Sequence, residues 1–189
     1  MTERQTMEHY DNRSFNRGAS FFKEALWRLC QGLFFQPLWH MPSGFRAWVL
    51  RCFGARIGKR AVIRAGVNIS FPWRLEMGDD VWLGEEVMIL SLAPVRIGSN
   101  VCLSQRAFLC TGSHRHGDPG FALETAPIHI EDGCWVAAMA FIGPGVTLGK
   151  GALAGAGAVV LRDVPAGAKV FGVPARVAPA PENREPHRA

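Results

Sequence analysis

The side chains best suited to chemistry cluster between positions 110 and 129. Cys110, His114, His116, Asp118, Glu124 and His129 all fall within this stretch, among Gly, Pro and further polar residues. An imidazole titrates near neutrality, so His114 or His116 can take a proton from a weak nucleophile such as a hydroxyl. Asp118 and Glu124 can orient such an imidazole, bind hydroxyls of a ligand, or simply remain solvated. Cys110, four residues before His114, raises a thiol mechanism, but a small residue lining a wall is the reading preferred. No Gly-x-Ser-x-Gly elbow is present, so a serine hydrolase lacks its main signature.

A six-residue period positions these residues. Ile57, Ile63 and Ile69 lie six apart, as do Met77, Leu83 and Ile89. The pattern continues at Ile97, Leu103 and Leu109, and then from Ile130 through Val136, Ile142, Leu148, Ala154 and Val160. Small or branched residues such as Ala61, Val67, Val81, Ala107 and Ala158 follow four positions later. Neither a helical period nor simple strand alternation produces this spacing; it is the mark of a hexapeptide parallel β-helix. Each hexad supplies a short strand and a corner, and three hexads close one coil. No coil buries its apolar face alone, so stability comes from stacking. Two-residue offsets interrupt the register at Leu75-Glu76 and Val95-Arg96. The expected architecture is an all-β solenoid over 57–177, about five coils to position 165 and a closing segment to Val177, with an excursion loop at 115–127.

Before the solenoid, residues 1–56 read as a helical segment. Phe22, Leu26, Leu29 and Leu33 recur at helical steps from Ser20, an N-cap candidate, to Phe35. A second helix is expected from Ser43, another cap candidate, to Cys52, with Pro37 and Pro42 forcing the break between the two. Seven of the 12 Phe fall in the first 53 residues, whereas 17 of the 21 Gly follow position 54. The aromatic excess (Phe21, Phe34, Phe35, Trp27, Trp39) admits two readings. It packs against the protein or a partner subunit, or it lies in a membrane interface with Lys23, Arg28, Arg46 and Arg51 toward anionic headgroups.

The 189-residue chain has 48% apolar and 20% charged residues, which excludes global disorder and fits one modest domain. The net charge of +5 suits an anionic small ligand or surface. With no basic block and no zinc-finger or RNP-type spacing, nucleic acid is not an expected partner. Five Cys without a C-x-x-C pair, behind a polar start, suggest reduced thiols in the cytoplasm. The longest apolar run is too short to span a membrane. The charged, Pro-rich tail at 178–189 is expected to be disordered.

Several motifs carry a family resemblance. They are Leu50-Arg51-x-Phe53-Gly54-Ala55-x-Ile57-Gly58-Lys59, Pro72-Trp73, Leu109-Cys110-Thr111-Gly112-Ser113-His114, Pro127-Ile128-x-Ile130-x-x-x-x-Trp135, Gly143-Pro144-Gly145-Val146-Thr147-Leu148-Gly149 and Gly172-Val173-Pro174-Ala175-Arg176. Over roughly residues 15–177 the chain resembles the hexapeptide-repeat acyltransferases, above all the colanic-acid-biosynthesis acetyltransferase group, near the nodulation, galactoside and maltose O-acetyltransferases. The resemblance implies a left-handed coil, an exception to the usual right-handed crossover. It also implies a homotrimer with active sites between protomers.

The implied activity is acetyl-CoA-dependent O-acetylation of a sugar hydroxyl, in exopolysaccharide or other surface-glycan assembly. His114 is the implied general base, and attack is direct, without a covalent enzyme intermediate. Backbone amides near Ala138 and Ala156 are implied to meet the thioester carbonyl and the pantetheine arm. Arg162, Arg176 and Lys169 match positions that meet the coenzyme phosphates. Trp135 resembles the wall of the acyl and acceptor pocket, with a core Trp as the alternative. Ser91 replaces an Asn with which some relatives hold the acceptor, and His116, Asp118 and Glu124 border the same place.

The acceptor would be a sugar, nucleotide sugar or lipid-linked glycan. The location would be the cytoplasm or the inner face of the membrane. Two other readings stay open: a metal-dependent hydratase of the same solenoid class, and a non-catalytic scaffold docking at a membrane. For the hydratase, the spacings of His114, His116 and His129 do not resemble its three-His zinc set, so no metal is expected.

Overall fold

A computed structural model describes residues 10, 12, 15–36, 41–116, 118 and 120–178. Pro37, Trp39 and the tail from 179 onward lie outside the described residues. The hexads form a parallel β-solenoid with three flat faces and three corners per turn. The first face stacks Arg56–Ile57, Leu75–Met77, Val95–Ile97, Ile128–Ile130 and Thr147–Leu148. The second stacks Val62–Ile63, Trp82–Leu83, Cys102–Leu103, Trp135–Val136, Leu153–Ala154 and Lys169–Phe171, and the third runs from Asn68–Ile69 to Val159–Val160. Five turns are complete. A sixth, partial turn has Val164 bridged to Leu148 on the first face and Lys169–Phe171 on the second, in the stretch expected as a closing segment.

The aliphatic residue of each hexad points inward. Ile63, Leu83, Leu103, Val136 and Ala154 form one fully buried column, and Ile69, Ile89, Leu109 and Ile142 form another. Turn length changes along the stack. Ile57 pairs with Met77 and Met77 with Ile97, giving 20-residue turns, whereas Ile130 pairs with Leu148 after 18 and Ala154 with Val170 after 16. The surplus of the early turns is housed at the corner between the third and first faces. A 3-10 turn at Pro72–Arg74 occupies that corner in the first turn, and the 33-residue turn from Ile97 to Ile130 opens there. All four departures from the six-residue period, the short step from Val160 to Val164 included, therefore fall on one edge of the prism.

The open end of the first turn presents unpaired backbone groups that the two N-terminal helices cover. α1 (Phe21–Phe34) and α2 (Ser43–Cys52) lie across it. Trp27 Nε1 donates to the Ile69 carbonyl at 2.8 Å, Gln31 accepts the Ile69 N–H, and Phe35 O accepts the Gly66 N–H. Arg46 donates to the carbonyls of Phe34 and Ile63, and Arg51 to those of Ile57 and Gly58.

Ser20 caps α1 as expected, accepting the Lys23 N–H. Ser43 does not cap α2, whose N-cap is Pro42. Its hydroxyl instead accepts the Ile63 N–H and donates to the Ile63 carbonyl. Arg46 is likewise no headgroup contact, being buried among these backbone groups. Trp27 and Phe35 fill the plug, while Phe21, Phe22, Leu26, Leu29 and Leu33 face outward from α1. No described helix is long and apolar enough to cross a membrane.

Candidate active site

The excursion expected as a loop is a two-stranded ribbon standing off the third-to-first corner. Gly112–His114 pairs antiparallel with Leu123–Thr125, His114 opposite Leu123 and Gly112 opposite Thr125. Thr111 anchors its root. Fully buried, it takes the Ala93 N–H on Oγ1 at 2.9 Å, donates to the Leu90 carbonyl at 2.7 Å, and accepts the Ala126 N–H on its own carbonyl.

Directly opposed residues of an antiparallel pair share a face, so Gly112, His114, Leu123 and Thr125 look one way and Ser113 and Glu124 the other. The His114 face borders a cavity of about 490 Å³ lined by Phe15, Asn16, Arg74, Leu92, Pro94, Leu123 and Thr125. A Cβ on Gly112 would press on the end of the Leu92 side chain, which would have to shift.

The imidazole of His114 is fixed on three sides. Its Nδ1 lies 2.9 Å from the Phe121 carbonyl oxygen, which only accepts, so in the neutral ring Nδ1 carries the proton and Nε2 the lone pair. The Phe121 ring stacks on the imidazole at 4.1 Å with 3° between planes, and Tyr10 meets it edge-on at 5.6 Å. Phe121 adopts φ +48°, a strained conformation for a bulky residue that aims both its carbonyl and its ring at one histidine.

The other loop candidates lie elsewhere. Arg115 holds Glu124 at 2.9 Å, and Asp118 lies 3.9 Å from the same guanidinium and accepts the Gly120 N–H. Both carboxylates are thus spent on the ribbon itself, and Glu124 is on its reverse side from His114. His116 is exposed. His129 lies on the first face between Arg96 and Thr147. Among the described residues no cluster of His, Cys, Asp or Glu could hold a metal. Cys110 is buried with its thiol on the Gly112 carbonyl. Ser91 is fully buried, accepting the Phe71 N–H at 2.9 Å and donating to the Phe71 carbonyl at 3.0 Å, so no part of it faces a ligand.

Of the remaining candidates, Ala138 and Ala156 sit across the third face from His114. Ala138 and Ala156 occupy successive turns of the corner between the second and third faces, at the partly open turns before Met139 and Gly157. Their carbonyl and amide groups diverge: the Ala138 carbonyl accepts the Gly157 N–H, while neither the Ala138 nor the Ala156 N–H donates to any described group. Trp135 is half exposed on the second face, its Nε1 donating to Ser104 Oγ at 2.9 Å, so it is not a core residue. Arg162 and Arg176 are brought together on one cavity of about 400 Å³ at the last turn. Lys169 is exposed on the neighbouring strand, outside that lining.

Sequence reasoning missed Tyr10, Phe15, Arg74 and Phe121. Only Phe121, a lone aromatic in a Gly- and Pro-rich excursion, left a signal that could have found it.

Comparison with known proteins bears on this arrangement. Residues 127–162 match the family model described as the hexapeptide repeat of succinyl-transferase. The chain is 40% identical over 161 residues to the putative colanic acid biosynthesis acetyltransferase WcaF of Escherichia coli (strain K12), covering 85% of this chain and 88% of that protein. It is 27% identical to the galactoside O-acetyltransferase of the same organism, over 70% of this chain and 67% of the relative. Among solved structures, the Vibrio cholerae hexapeptide-repeat acetyltransferase VCA0836, complexed with acetyl coenzyme A, superimposes with a TM-score of 0.77. The two share 24% identity over 95% of this chain and 96% of that one, a likeness of fold.

Proposed function

Because the chain belongs to the hexapeptide-repeat acetyltransferases, we propose that it transfers an acetyl group from acetyl-CoA to a sugar hydroxyl with His114 as general base. The observation that carries this reading is the His114 tautomer. With Nδ1–H held by the Phe121 carbonyl, Nε2 is a ready acceptor on the cavity side of the ribbon.

Nε2 takes the hydroxyl proton as the acceptor oxygen attacks the thioester carbon. The C–O bond forms, and negative charge collects on the carbonyl oxygen. The unpaired N–H of Ala138 suits that oxyanion, and the N–H of Ala156, one turn on, suits the pantetheine amide. Collapse expels the CoA thiolate, which recovers the proton from the imidazolium. Throughout, the Phe121 carbonyl stabilises the charged ring. Arg162 and Arg176, with Lys169 nearby, supply cationic charge for the coenzyme phosphates.

Within one chain these groups cannot meet, because the ribbon and the Ala138 corner bound opposite edges of the third face. A strand and its corner of about six residues separate them, on the order of 15–20 Å of extended backbone. A site shared between protomers resolves this, which favours the homotrimer. The acceptor is a sugar, nucleotide sugar or lipid-linked glycan of exopolysaccharide or surface-glycan assembly, handled in the cytoplasm at the inner face of the membrane. The outward apolar face of α1, edged by Arg28 in a chain of charge +5, suits an anionic bilayer surface.

The test is acceptor-dependent CoA release. His114→Ala should lower kcat by about 10²–10⁴-fold with acetyl-CoA binding retained. Undiminished release from that variant would overturn the assignment.

A further inference from the structure

Arg74 lies in the cavity that His114 faces, yet no part of the mechanism above uses it. Along the coils, arginines are matched to carboxylates one turn away: Arg56 and Arg96 to Glu76, Arg60 to Asp80, Arg64 to Glu85, Arg106 to Glu86. No described carboxylate lies within ion-pair distance of Arg74. Its guanidinium packs against two adjoining aromatic rings, 5.1 Å from the Phe15 centroid and 5.5 Å from that of Phe71, and Nη2 donates to the Asn16 carbonyl. The ring pair on one side and the Asn16 carbonyl orient the planar fork, while its other N–H groups have no described partner.

Burial works against the charge and pushes the Arg74 guanidinium below its usual value, an unfavourable environment that a bound anion would reverse. The geometry couples this cation to the reacting atoms. Leu123 and Thr125 line the Arg74 cavity, and Leu123 is the residue directly opposite His114. Phe15 and Asn16, which hold Arg74, belong to the same N-terminal stretch as Tyr10, which touches the imidazole.

We propose that Arg74 forms an anion subsite of the acceptor pocket, so that the sugar acetylated by this enzyme carries a carboxylate or phosphate beside the hydroxyl presented to His114. The inference rests on the acetyl-transfer reading. A guanidinium fork binds either group through paired, charge-assisted N–H···O bonds, whereas a neutral hydroxyl uses only one.

The test compares three acceptors with acetyl-CoA: methyl glucoside, the corresponding methyl glucuronide, and glucose 1-phosphate. In the wild type, kcat/KM for an anionic acceptor should exceed that for the glucoside by about 10–100-fold, chiefly through KM. The two anionic probes decide between carboxylate and phosphate. Arg74→Gln should collapse the ratio to near one, and Arg74→Lys, which keeps the charge but not the fork, should restore part of it.

Circular dichroism establishes that each variant is folded, and the ratio within each variant cancels any general loss. A wild-type ratio near one, or a preference that survives in Arg74→Gln, overturns the proposal while leaving acetyl transfer intact. Should none of the three be acetylated, calorimetric titration of the same sugars decides. Tighter binding of an anionic sugar that weakens at least tenfold in Arg74→Gln supports the subsite, and equal or absent binding overturns it. Failure of the acetyl-transfer reading shows separately, as absence of acetyl-CoA binding.

Discussion

Replacing Thr111 by Val keeps the side-chain shape and deletes one hydroxyl at the root of the catalytic ribbon. That hydroxyl serves two groups of unequal vulnerability. The Leu90 carbonyl also accepts the Thr111 N–H at 3.1 Å and so stays satisfied. The Ala93 N–H, 7% exposed at the residue level, has Thr111 Oγ1 as its acceptor and is orphaned. Leaving one buried amide unpaired costs about 1–3 kcal/mol. For a chain of this size each kcal/mol lowers Tm by about 2–4 °C, so a fall of roughly 2–12 °C is expected.

Ser91→Ala, one turn earlier on the same corner, orphans only the Phe71 N–H, since the Phe71 carbonyl keeps the Arg74 N–H. Its stability loss should match. The two variants part company in function. Thr111 lies three residues from His114, so its loss loosens the ribbon and misplaces the imidazole, and kcat/KM should drop at least tenfold well below Tm. Ser91→Ala should lose stability and keep acetyl transfer. Thermal unfolding followed by circular dichroism, with CoA release at 20 °C or so, reads both effects. The reasoning is refuted if Ser91→Ala abolishes transfer at unchanged Tm, because Ser91 would then be touching the acceptor. It fails equally if Thr111→Val moves neither quantity.

Two further predictions concern other links between sequence and structure. A Cβ on Gly58 would sit inside the Gly78 backbone and Asp79 of the next turn, whereas one on Gly32 in α1 meets nothing within 4 Å. Gly58→Ala should therefore destabilise the protein in urea unfolding. Gly32→Ala should stabilise it by about 0.5–1 kcal/mol, and the opposite order would disprove the coil-contact account. On α1, Leu26→Glu with Leu29→Glu should reduce co-sedimentation with anionic vesicles at least tenfold without changing the sedimentation mass. A fall in that mass instead would assign the apolar face to a neighbouring subunit.

The solenoid is legible in the sequence because its contacts recur between adjacent turns. Ile63, Leu83 and Leu103 pack on one another at a fixed interval, so each must be aliphatic, and the period records that requirement directly. His114 was found through the Thr-Gly-Ser-His motif, and its tautomer was not, since a backbone carbonyl at position 121 leaves no mark on residue type. Ser91 was misplaced for a related reason. A Ser that binds a ligand and a Ser that ties two corners together look the same as letters.

By itself, the sequence determined the coil, its inward residues, the family and the place in the chain where an excursion interrupts the period. The tertiary structure alone decided which face His114 presents, that Glu124 lies behind it, and that Arg74 stands in the cavity in front. Trp73 reaches back 56 residues and Arg74 58 residues to the stretch at Asn16 and Arg17. Contacts of that span follow from how the N-terminal segment crosses the prism edge. They do not repeat from turn to turn, so no period records them.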